Sequence, residues 1–473
     1  MSNNFLNPYE QYKETGLFWL NKIPMHWDWL YLSQVSSQQQ IKNTNNQINN
    51  VLSLSYGNII KKKNIDFGLV PKEYNNYQIV SIGNIILRLT DLQNDKRSLR
   101  TGLVKEEGII TSAYVCLKIN KQNNPSFVHY LLHSFDNLKV FYGMGGGVRQ
   151  SIGFNDIRKL RLPIPPIDEQ NQIVKYLDHK LENINKFIKS KKRLIVALKE
   201  QKQAVINEAV TKGLNPNTKM KSSGIEWLGD IPEHWEEKSL SQLSRVILSG
   251  LDKKSYENQK SVLLCNYVDV YKNDYITKEI DFMKATASDE EIKNLTLLKG
   301  DIIITKDSES WDDIAVPSYV AEELKNVLCA YHLAIIRTKD ESINPEFLYS
   351  AFLSQYVSVQ YKLKAKGVTR YGLSYQSIRD IKIFVPPLYE QEEIIKLIRK
   401  TMKNVDKAIQ KIQSEIDLIS EYRNSLILDV VTGKVDVQGI DIDYAQEDNI
   451  NIKDINKDTI ELVEVIEGEE CEV

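Results

Sequence analysis

Apolar residues follow two regimes along this chain, and each regime occurs twice. From Asp168 to Lys212, and again from Leu388 to Thr432, hydrophobic side chains recur at helical spacing with no Gly or Pro between them. In the first stretch Leu177, Leu181, Ile184, Ile188, Ile195, Leu198 and Val205 alternate four and three apart, with Lys191 and Lys202 on two seam positions. In the second, Met402, Val405, Ile409, Ile412, Ile416 and Ile419 keep a cleaner heptad. A helix of 45 residues spans about 67 Å. Alone it would leave its apolar stripe in water, so the two are expected to pack on each other. Antiparallel pairing is expected, because two similar halves then form a pseudo-twofold object. The periodicity alone is equally satisfied by a plain coiled-coil spacer inside any adaptor.

The segments ahead of the helices are duplicated too. Gly16-Leu17-Phe18-Trp19-Leu20, Ile23-Pro24 and His26-Trp27 return as Gly224-Ile225-Glu226-Trp227-Leu228, Ile231-Pro232 and His234-Trp235. Pro165-Pro166-Ile167-Asp168-Glu169-Gln170 returns as Pro386-Pro387-Leu388-Tyr389-Glu390-Gln391. Such internal similarity marks a repeated structural unit. Between these anchors lie two heads, roughly residues 22–165 and 230–386. Residues 82–88 and 299–305, then 112–117 and 329–334, read as matching strands. Residues 127–132 and 347–352 read as helices after an Asn-x-Pro type start. Each head is therefore expected to be α+β. The sequence between the anchors hardly matches, and the Gln/Asn-rich stretch from Gln38 to Asn50 has no counterpart in the second head. Two copies with one frame and different surfaces can serve different targets. Drift after duplication leaves the same pattern.

Composition narrows the class. With 473 residues, 42% of them hydrophobic, the chain can bury more than one core. Cys116, Cys265, Cys329 and Cys471 are scattered, form no CxxC pair and sit among only six histidines, which argues against a disulfide framework or a structural zinc site. The polar N-terminal segment does not resemble a signal peptide, and no apolar run approaches the roughly 18 residues of a membrane span. A reduced, cytoplasmic protein without a membrane segment is expected. The net charge of −2 conceals an asymmetry: residues 437–473 carry −10, and the rest carries +8. The body is mildly basic and compatible with a polyanion. The tail reads as a solvated extension.

The block that closes each head carries a family resemblance. Gly147-Val148-Arg149-Gln150, Ile152, Ile157-Arg158-Lys159-Leu160 and Pro163-Ile164-Pro165-Pro166 precede Glu169-Gln170-Asn171-Gln172-Ile173. The block returns as Gly367-Val368-Thr369-Arg370, Leu373, Ile378-Arg379-Asp380-Ile381 and Val385-Pro386-Pro387, before Glu390-Gln391-Glu392-Glu393-Ile394. A Trp-x-Gly-x-Ile-Pro-x-x-Trp opening is nearly complete from Trp227 to Trp235, while the first copy has Asn21 where Gly229 stands. Over residues 16–433 the chain resembles the specificity subunit of type I restriction-modification enzymes.

That resemblance implies an α+β fold. Two similar globular target recognition domains would be separated by a pair of long antiparallel coiled-coil helices, with pseudo-twofold symmetry. The expected boundaries are 1–166 for the first recognition domain and 167–213 for the first spacer helix. The linker and second domain take 214–387, the second spacer helix 388–434 and the acidic tail 435–473. The resemblance further implies recognition of a split double-stranded DNA sequence by a non-catalytic subunit. The implied partners are two methyltransferase subunits and, in the full complex, restriction/translocase subunits. S-adenosylmethionine, ATP and magnesium would belong to those partners, with no cofactor bound by this chain. The alternative is a two-headed structural adaptor that binds proteins without DNA specificity.

DNA affinity needs cations near phosphates, and specificity needs side chains at base edges. The first head offers Arg88, Lys96, Arg97 and Arg100 in a loop-rich interval beside Gln93 and Asn94. A solvated charged face accounts for the same cluster. The corresponding region of the second head holds Lys306, Ser308, Ser310 and Trp311 among Asp307, Glu309, Asp312 and Asp313, and those acids repel phosphate. Before the first Pro-Pro turn, Gly143-Met144-Gly145-Gly146-Gly147 leads into Arg149 and Gln150. Arginine pairs bidentately with guanine and glutamine with adenine. The second head offers Lys364, Lys366, Arg370 and Tyr371 around Gly367. Arg149 and Arg370 occur in both heads while targets should differ, so phosphate contact is expected of them. A tight turn with an internally paired arginine is the plainer reading. Leu194 with Ile206, and Leu426 with Ile427, would be docking surfaces for partners unless they complete a local core. No phosphate-binding glycine loop, amino-methyltransferase pocket or metal cluster is present in the sequence.

Overall fold

A computed structural model describes residues 7–62, 74–92, 99–144 and 151–441. They divide into two units: residues 7–192 with 413–441, and residues 193–412. The boundary falls inside the long helices, not between heads and helices. Each unit thus holds one head, the beginning of the helix that follows it, and the end of the other helix. The acidic tail after residue 441 lies outside the described residues.

The first head is built on an antiparallel sheet in the order Thr101–Leu103, Ile85–Leu87, Val115–Ile119 and Ser36–Gln39. The second head repeats this order with Pro317–Val320, Ile302–Thr305, Leu333–Thr338 and Ser244–Leu248, and adds Tyr275–Ile276 at one edge. The central strands Ile85–Leu87 and Ile302–Thr305 are wholly buried, as their unbroken apolar sequence requires. Both follow a left-handed glycine, Gly83 and Gly300, within the stretches expected to be strands. The expected helices form at Pro125–Asn137 and Pro345–Phe352. Their caps are Asn124 and Asn344, directly before the proline rather than one residue earlier. Each cap side chain accepts from a backbone N–H of the first turn, while proline occupies the position whose N–H needs no partner.

The heads differ in a second, smaller sheet. In the first, Gly108–Ile110 pairs antiparallel with Gln78–Val80. In the second, Val327–Cys329 pairs parallel with Lys260–Cys265. One frame thus carries two differently built outer layers.

The duplicated motifs meet at the start of each long helix. Asp28–Tyr31 pairs with Arg161–Ile164, and Glu236–Ser239 with Lys382–Val385, so in each head a strand just after the opening motif lies beside the last strand. This brings the His-Trp of the opening motif onto the Glu of the Pro-Pro-x-x-Glu-Gln motif. Glu169 accepts from the Trp27 indole at 2.9 Å and from Tyr9 Oη at 2.6 Å, and bonds His26 Nε2 at 2.8 Å. Glu390 accepts from the Trp235 indole at 3.2 Å and bonds His234 Nε2 at 2.8 Å. The next residue completes the tie. Gln170 Oε1 accepts from the Asn124 N–H and its amide donates to the Pro165 carbonyl; Gln391 does the same with Asn344 and Pro386. Both glutamines are buried. Burial raises the Glu169 carboxyl, but hydrogen bonds from Tyr9, His26, Gln438 and Trp27 outweigh it and hold the group below its ordinary value.

Each long helix ends on a left-handed glycine, which terminates a helix without strain. A Cβ on Gly433 would lie 2.4 Å from Pro24 carbons, and one on Gly213 would lie 2.7 Å from Glu390 Oε1. The helix ends therefore pack directly on the opening motifs.

Within the first unit, the early part of Ile167–Lys212 packs on the late part of Leu388–Val431. Leu177, Leu181 and Ile184 share a core with Leu426, Ile427 and Val430. Asn185 meets Arg423 at 3.5 Å, and Lys191 pairs with Glu415 at 2.8 Å, so the strands of contact run antiparallel. Within the second unit, Ile206, Ala209 and Val210 join the core of Ile394, Ile398 and Met402. Lys202 there reaches Asp406 at 2.9 Å. Both seam lysines are thus matched by an acid on the other helix. The late part of the first helix departs from the expected stripe: Val196, Ile206, Ala209 and Val210 are buried, while Ile195, Leu198 and Val205 are only half-buried. The head it packs on, not a regular seam, sets the buried face. For the same reason Ile206, Leu426 and Ile427 belong to cores and are not docking surfaces; Leu194 alone of those four is exposed.

Glu169→Ala strands the Trp27 and Tyr9 donors in the core and should cost about 2–4 kcal/mol in urea unfolding at neutral pH. Glu390→Ala, with fewer donors and a more exposed carboxylate, should cost less. A carboxyl lowered by folding stabilises fully above its ordinary value of 4.5 and loses that contribution as pH falls below it. Wild type and Glu169→Ala should therefore converge in acid.

Candidate nucleic-acid interface

The second head gathers its predicted residues at one place. Asp307–Ser308 pairs with Tyr371–Gly372, and Lys366 bridges to Gly372, closing a tight turn over residues 366–372. Gly367 is essential to that turn, because a Cβ there would fall 1.8 Å from the Arg370 carbonyl oxygen. Lys366 and Arg370 stand exposed on the turn, and Tyr371 is half-buried at its base. Lys306 lies beneath, its N–H donating to the His332 carbonyl and its own carbonyl accepting from Leu373.

A chain of polar contacts orients Arg370. Its guanidinium approaches His332 Nε2 at 2.8 Å, and His332 Nδ1 lies 2.7 Å from Asp307 Oδ2. A guanidinium has donors only, so His332 Nε2 must accept and Nδ1–H must donate to Asp307. Lys306 Nζ bonds the same Asp307 oxygen at 2.5 Å. Burial raises the Asp307 carboxyl, but the His332 and Lys306 hydrogen bonds outweigh it and keep the group ionised. His332 holds a left-handed backbone at φ +73, uncommon for a residue with a side chain. Such strain at a polar cluster points to a positional requirement.

Three of the four acids of this region are engaged within the fold, while Glu309 stands exposed. Asp307 serves Lys306 and His332, Asp312 pairs with Lys362 at 2.7 Å, and Asp313 accepts from Tyr271 Oη at 3.2 Å. Trp311 donates its indole N–H to the Lys362 carbonyl, while Lys362 Nζ sits 5.1 Å from its ring centroid. Its ring remains partly open, and exposed Tyr331 lies against His332 with ring centroids 3.7 Å apart. Cations and aromatic faces are thus presented together, a combination suited to nucleic acid. His332, Tyr331 and Lys362 were not singled out by sequence. His332 lies in a stretch expected to be strand, but the strands end at Cys329 and resume at Leu333, and the turn between them brings it to Arg370.

The first head gives a different picture. Lys96, Arg97, Arg149 and Gln150 lie outside the described residues. Arg88 is half-buried at the end of a core strand. Arg100, expected to face DNA, is fully buried. Its guanidinium donates to the carbonyls of Arg88, Thr90 and Asp91 and to Tyr142 Oη. These bonds consume the donors a phosphate would need, so Arg100 fastens the loop that follows Arg88. Among the described residues, no three His, Cys, Asp or Glu side chains are grouped to hold a metal, and no helix is long and apolar enough to cross a membrane.

Comparison with known proteins adds independent findings. The family model described as type I restriction modification DNA specificity domain matches residues 57–198 and again 232–418. The type I restriction enzyme MjaVIII specificity subunit of Methanocaldococcus jannaschii is 24% identical over 370 residues, covering 77% of this chain and 82% of that protein. The type I restriction enzyme EcoKI specificity subunit of Escherichia coli is 22% identical over 341 residues, covering 71% and 68%. A chain solved in work on complex assembly and conformational transition of the type I R-M system superposes with a TM-score of 0.64 at 14% identity. It covers 87% of this chain and 99% of its own, and shows the same fold.

Arg100→Met should destabilise the protein by about 2–4 kcal/mol, since buried carbonyls lose their donors. Arg370→Gln, on an exposed turn, should change stability by no more than about 0.5 kcal/mol. Urea denaturation of both variants separates the fastening arginine from the presented one.

Proposed function

The chain belongs to the type I restriction modification DNA specificity family, and we propose that each of its two heads recognises one half of a split double-stranded DNA sequence. Its part is recognition, and the relatives it resembles are named specificity subunits. The observation that carries the two-part reading is the duplicated frame. The same Glu-Gln anchor and central sheet occur twice, under outer layers that are wholly antiparallel in one head and mixed in the other, where Lys260–Cys265 pairs antiparallel with Met283–Ala287 and parallel with Val327–Cys329. A shared frame with unlike layers suits two unlike half-sites.

In the second head, Arg370, Lys366, Lys306, Trp311 and Tyr371 form the proposed DNA-facing group, with His332 and Asp307 aiming Arg370. In the first, Arg88 with Lys96, Arg97, Arg149 and Gln150 are proposed to serve the other half-site. The long helices act as the spacer in this reading. Two methyltransferase subunits, and restriction/translocase subunits in the complete assembly, supply catalysis and use S-adenosylmethionine, ATP and magnesium.

Selection from random duplexes, with the full chain alone and with its methyltransferase subunit, should enrich one motif with two constant segments and a fixed gap. Binding to proteins with no enriched duplex would instead favour an adaptor. Arg370→Gln should weaken binding by about 1–3 kcal/mol if it pairs with a base, relaxing one position of one segment only. A uniform loss across sequences, with a salt slope smaller by about one, would assign it to phosphate. Excising one heptad from both long helices should alter the gap and leave both constant segments unchanged; altered segments would refute the spacer role.

A further inference from the structure

The first unit contains a cleft of about 870 Å³ that the recognition reading does not use. One wall is the turn at Tyr56–Gly57 with Ile59 and Ile60, and the second is the head helix at Ser126, His129, Tyr130 and His133. Parts of both long helices, from Asp178 to Lys189 and at Arg423, close the third side. The volume lies within the range of small-molecule sites, about 300–1,000 Å³. The turn is fitted closely: a Cβ on Gly57, at φ +80, would meet both His133 and Leu99 at 3.2 Å.

The lining charge is unbalanced. Lys105, Lys186, Lys189 and Arg423 face two carboxylates, Asp178 and Glu182. Both carboxylates are already engaged: Asp178 accepts from Tyr130 Oη at 2.5 Å, and Glu182 pairs with Lys186 at 2.9 Å. Arg423 is half-buried, and its only close polar contact among the described residues is Asn185 at 3.5 Å. A guanidinium withdrawn from water without a carboxylate is costly, and an anion would relieve that cost. Burial lowers the Arg423 pKa, which is the same cost expressed as a proton equilibrium.

The neighbouring imidazoles carry the same signature. His133 is lowered to about 4 by burial and by the charge of Arg423. His129 is lowered to about 3 by burial, with His133 and Lys105 adding to it, while a hydrogen bond to the Thr101 backbone carbonyl opposes the shift. Its Nε2 is closed off and has no hydrogen-bond partner in the structure. Both rings are neutral at pH 7, each with one N–H. The cleft therefore offers one half-buried guanidinium and rim lysines beside the neutral His133 ring, whose Nδ1 lies 3.3 Å from Thr101 Oγ1. That set suits a compact, multiply charged oxyanion better than a cation or an apolar group.

We propose that this cleft binds a phosphate group between Arg423, His133 and the rim lysines Lys105 and Lys189. The group could come from a free phosphate compound or from the backbone of a DNA strand. Only the second source rests on the recognition reading.

The test titrates the full-length protein with inorganic phosphate at constant ionic strength, against chloride as control, and follows the imidazole NMR signals. With six histidines in the chain, His129 and His133 are assignable by substitution. Saturable shifts of both signals are expected, with their titration midpoints raised because a bound anion favours imidazolium. Arg423→Gln should weaken phosphate binding at least tenfold, and Arg423→Lys should restore part of it. Lys189→Gln, at an exposed position, keeps the test open if Arg423→Gln fails to fold, and should weaken binding severalfold. Duplex binding by the same variants separates the sources. A sequence-independent loss with a shallower salt dependence identifies the DNA backbone, whereas unchanged duplex binding identifies a free phosphate. If phosphate moves neither signal, or chloride moves them equally, the proposal is wrong whether or not the protein recognises DNA.

Discussion

A hydrogen-bonded carboxylate beside a buried amide, the carboxylate buried in the first half and half-buried in the second, ties each long helix to its own head. Glu169 and Gln170 stand at the first turn of a long helix, where negative charge is also favoured by the helix dipole. The glutamate gathers the opening Trp-His pair of its head, and the glutamine caps the approach to the head helix through Asn124. Glu390 and Gln391 repeat the arrangement with Trp235, His234 and Asn344. Removing either partner leaves indole or amide donors in an apolar interior, which explains why a short polar motif can fix the direction in which a helix leaves its head.

The same economy governs how the long helices are stabilised. Neither buries its stripe on a uniform partner helix. In each unit one helix begins and the other ends, and both also pack on head residues. Seam lysines that would be costly in a dry core find acids across the contact, Glu415 for Lys191 and Asp406 for Lys202. Left-handed glycines then end the helices, Gly433 against Pro24 and Trp27, where a Cβ has no room, and Gly213 against Trp235 and Glu390.

The presented arginine of the second head depends on a different balance. Its acids looked hostile to a polyanion when counted along the chain. In the fold all but Glu309 are internal partners: Asp307 fixes the tautomer of His332, which then holds Arg370, Asp312 pairs with Lys362, and Asp313 accepts from Tyr271. A negative group that orients a cation from behind improves recognition in front, because the cation reaches its target with less orientation left to lose. Arg100 in the first head shows the opposite outcome. A basic residue in a basic stretch was drawn inward by three carbonyls and a tyrosine.

By itself the sequence determined what is local or periodic. The two long helices follow from 3.6-residue spacing without breakers, their ends from Gly213 and Gly433, and the head helices from Asn-Pro starts. The duplication is legible in the repeated anchors, of which Trp27, Gln170, Trp235 and Gln391 make hydrogen bonds at the head–helix junction. Tertiary structure decided which face of a helix is buried once a head leans on it, so Ile206 and Val210 replaced Ile195 and Val205 in the core. It decided that Arg100 is a fastener and that His332 aims Arg370, since both outcomes depend on carbonyls and carboxylates from distant segments. Charge, spacing and residue type are properties of the chain; the partner that consumes a donor is a property of the fold.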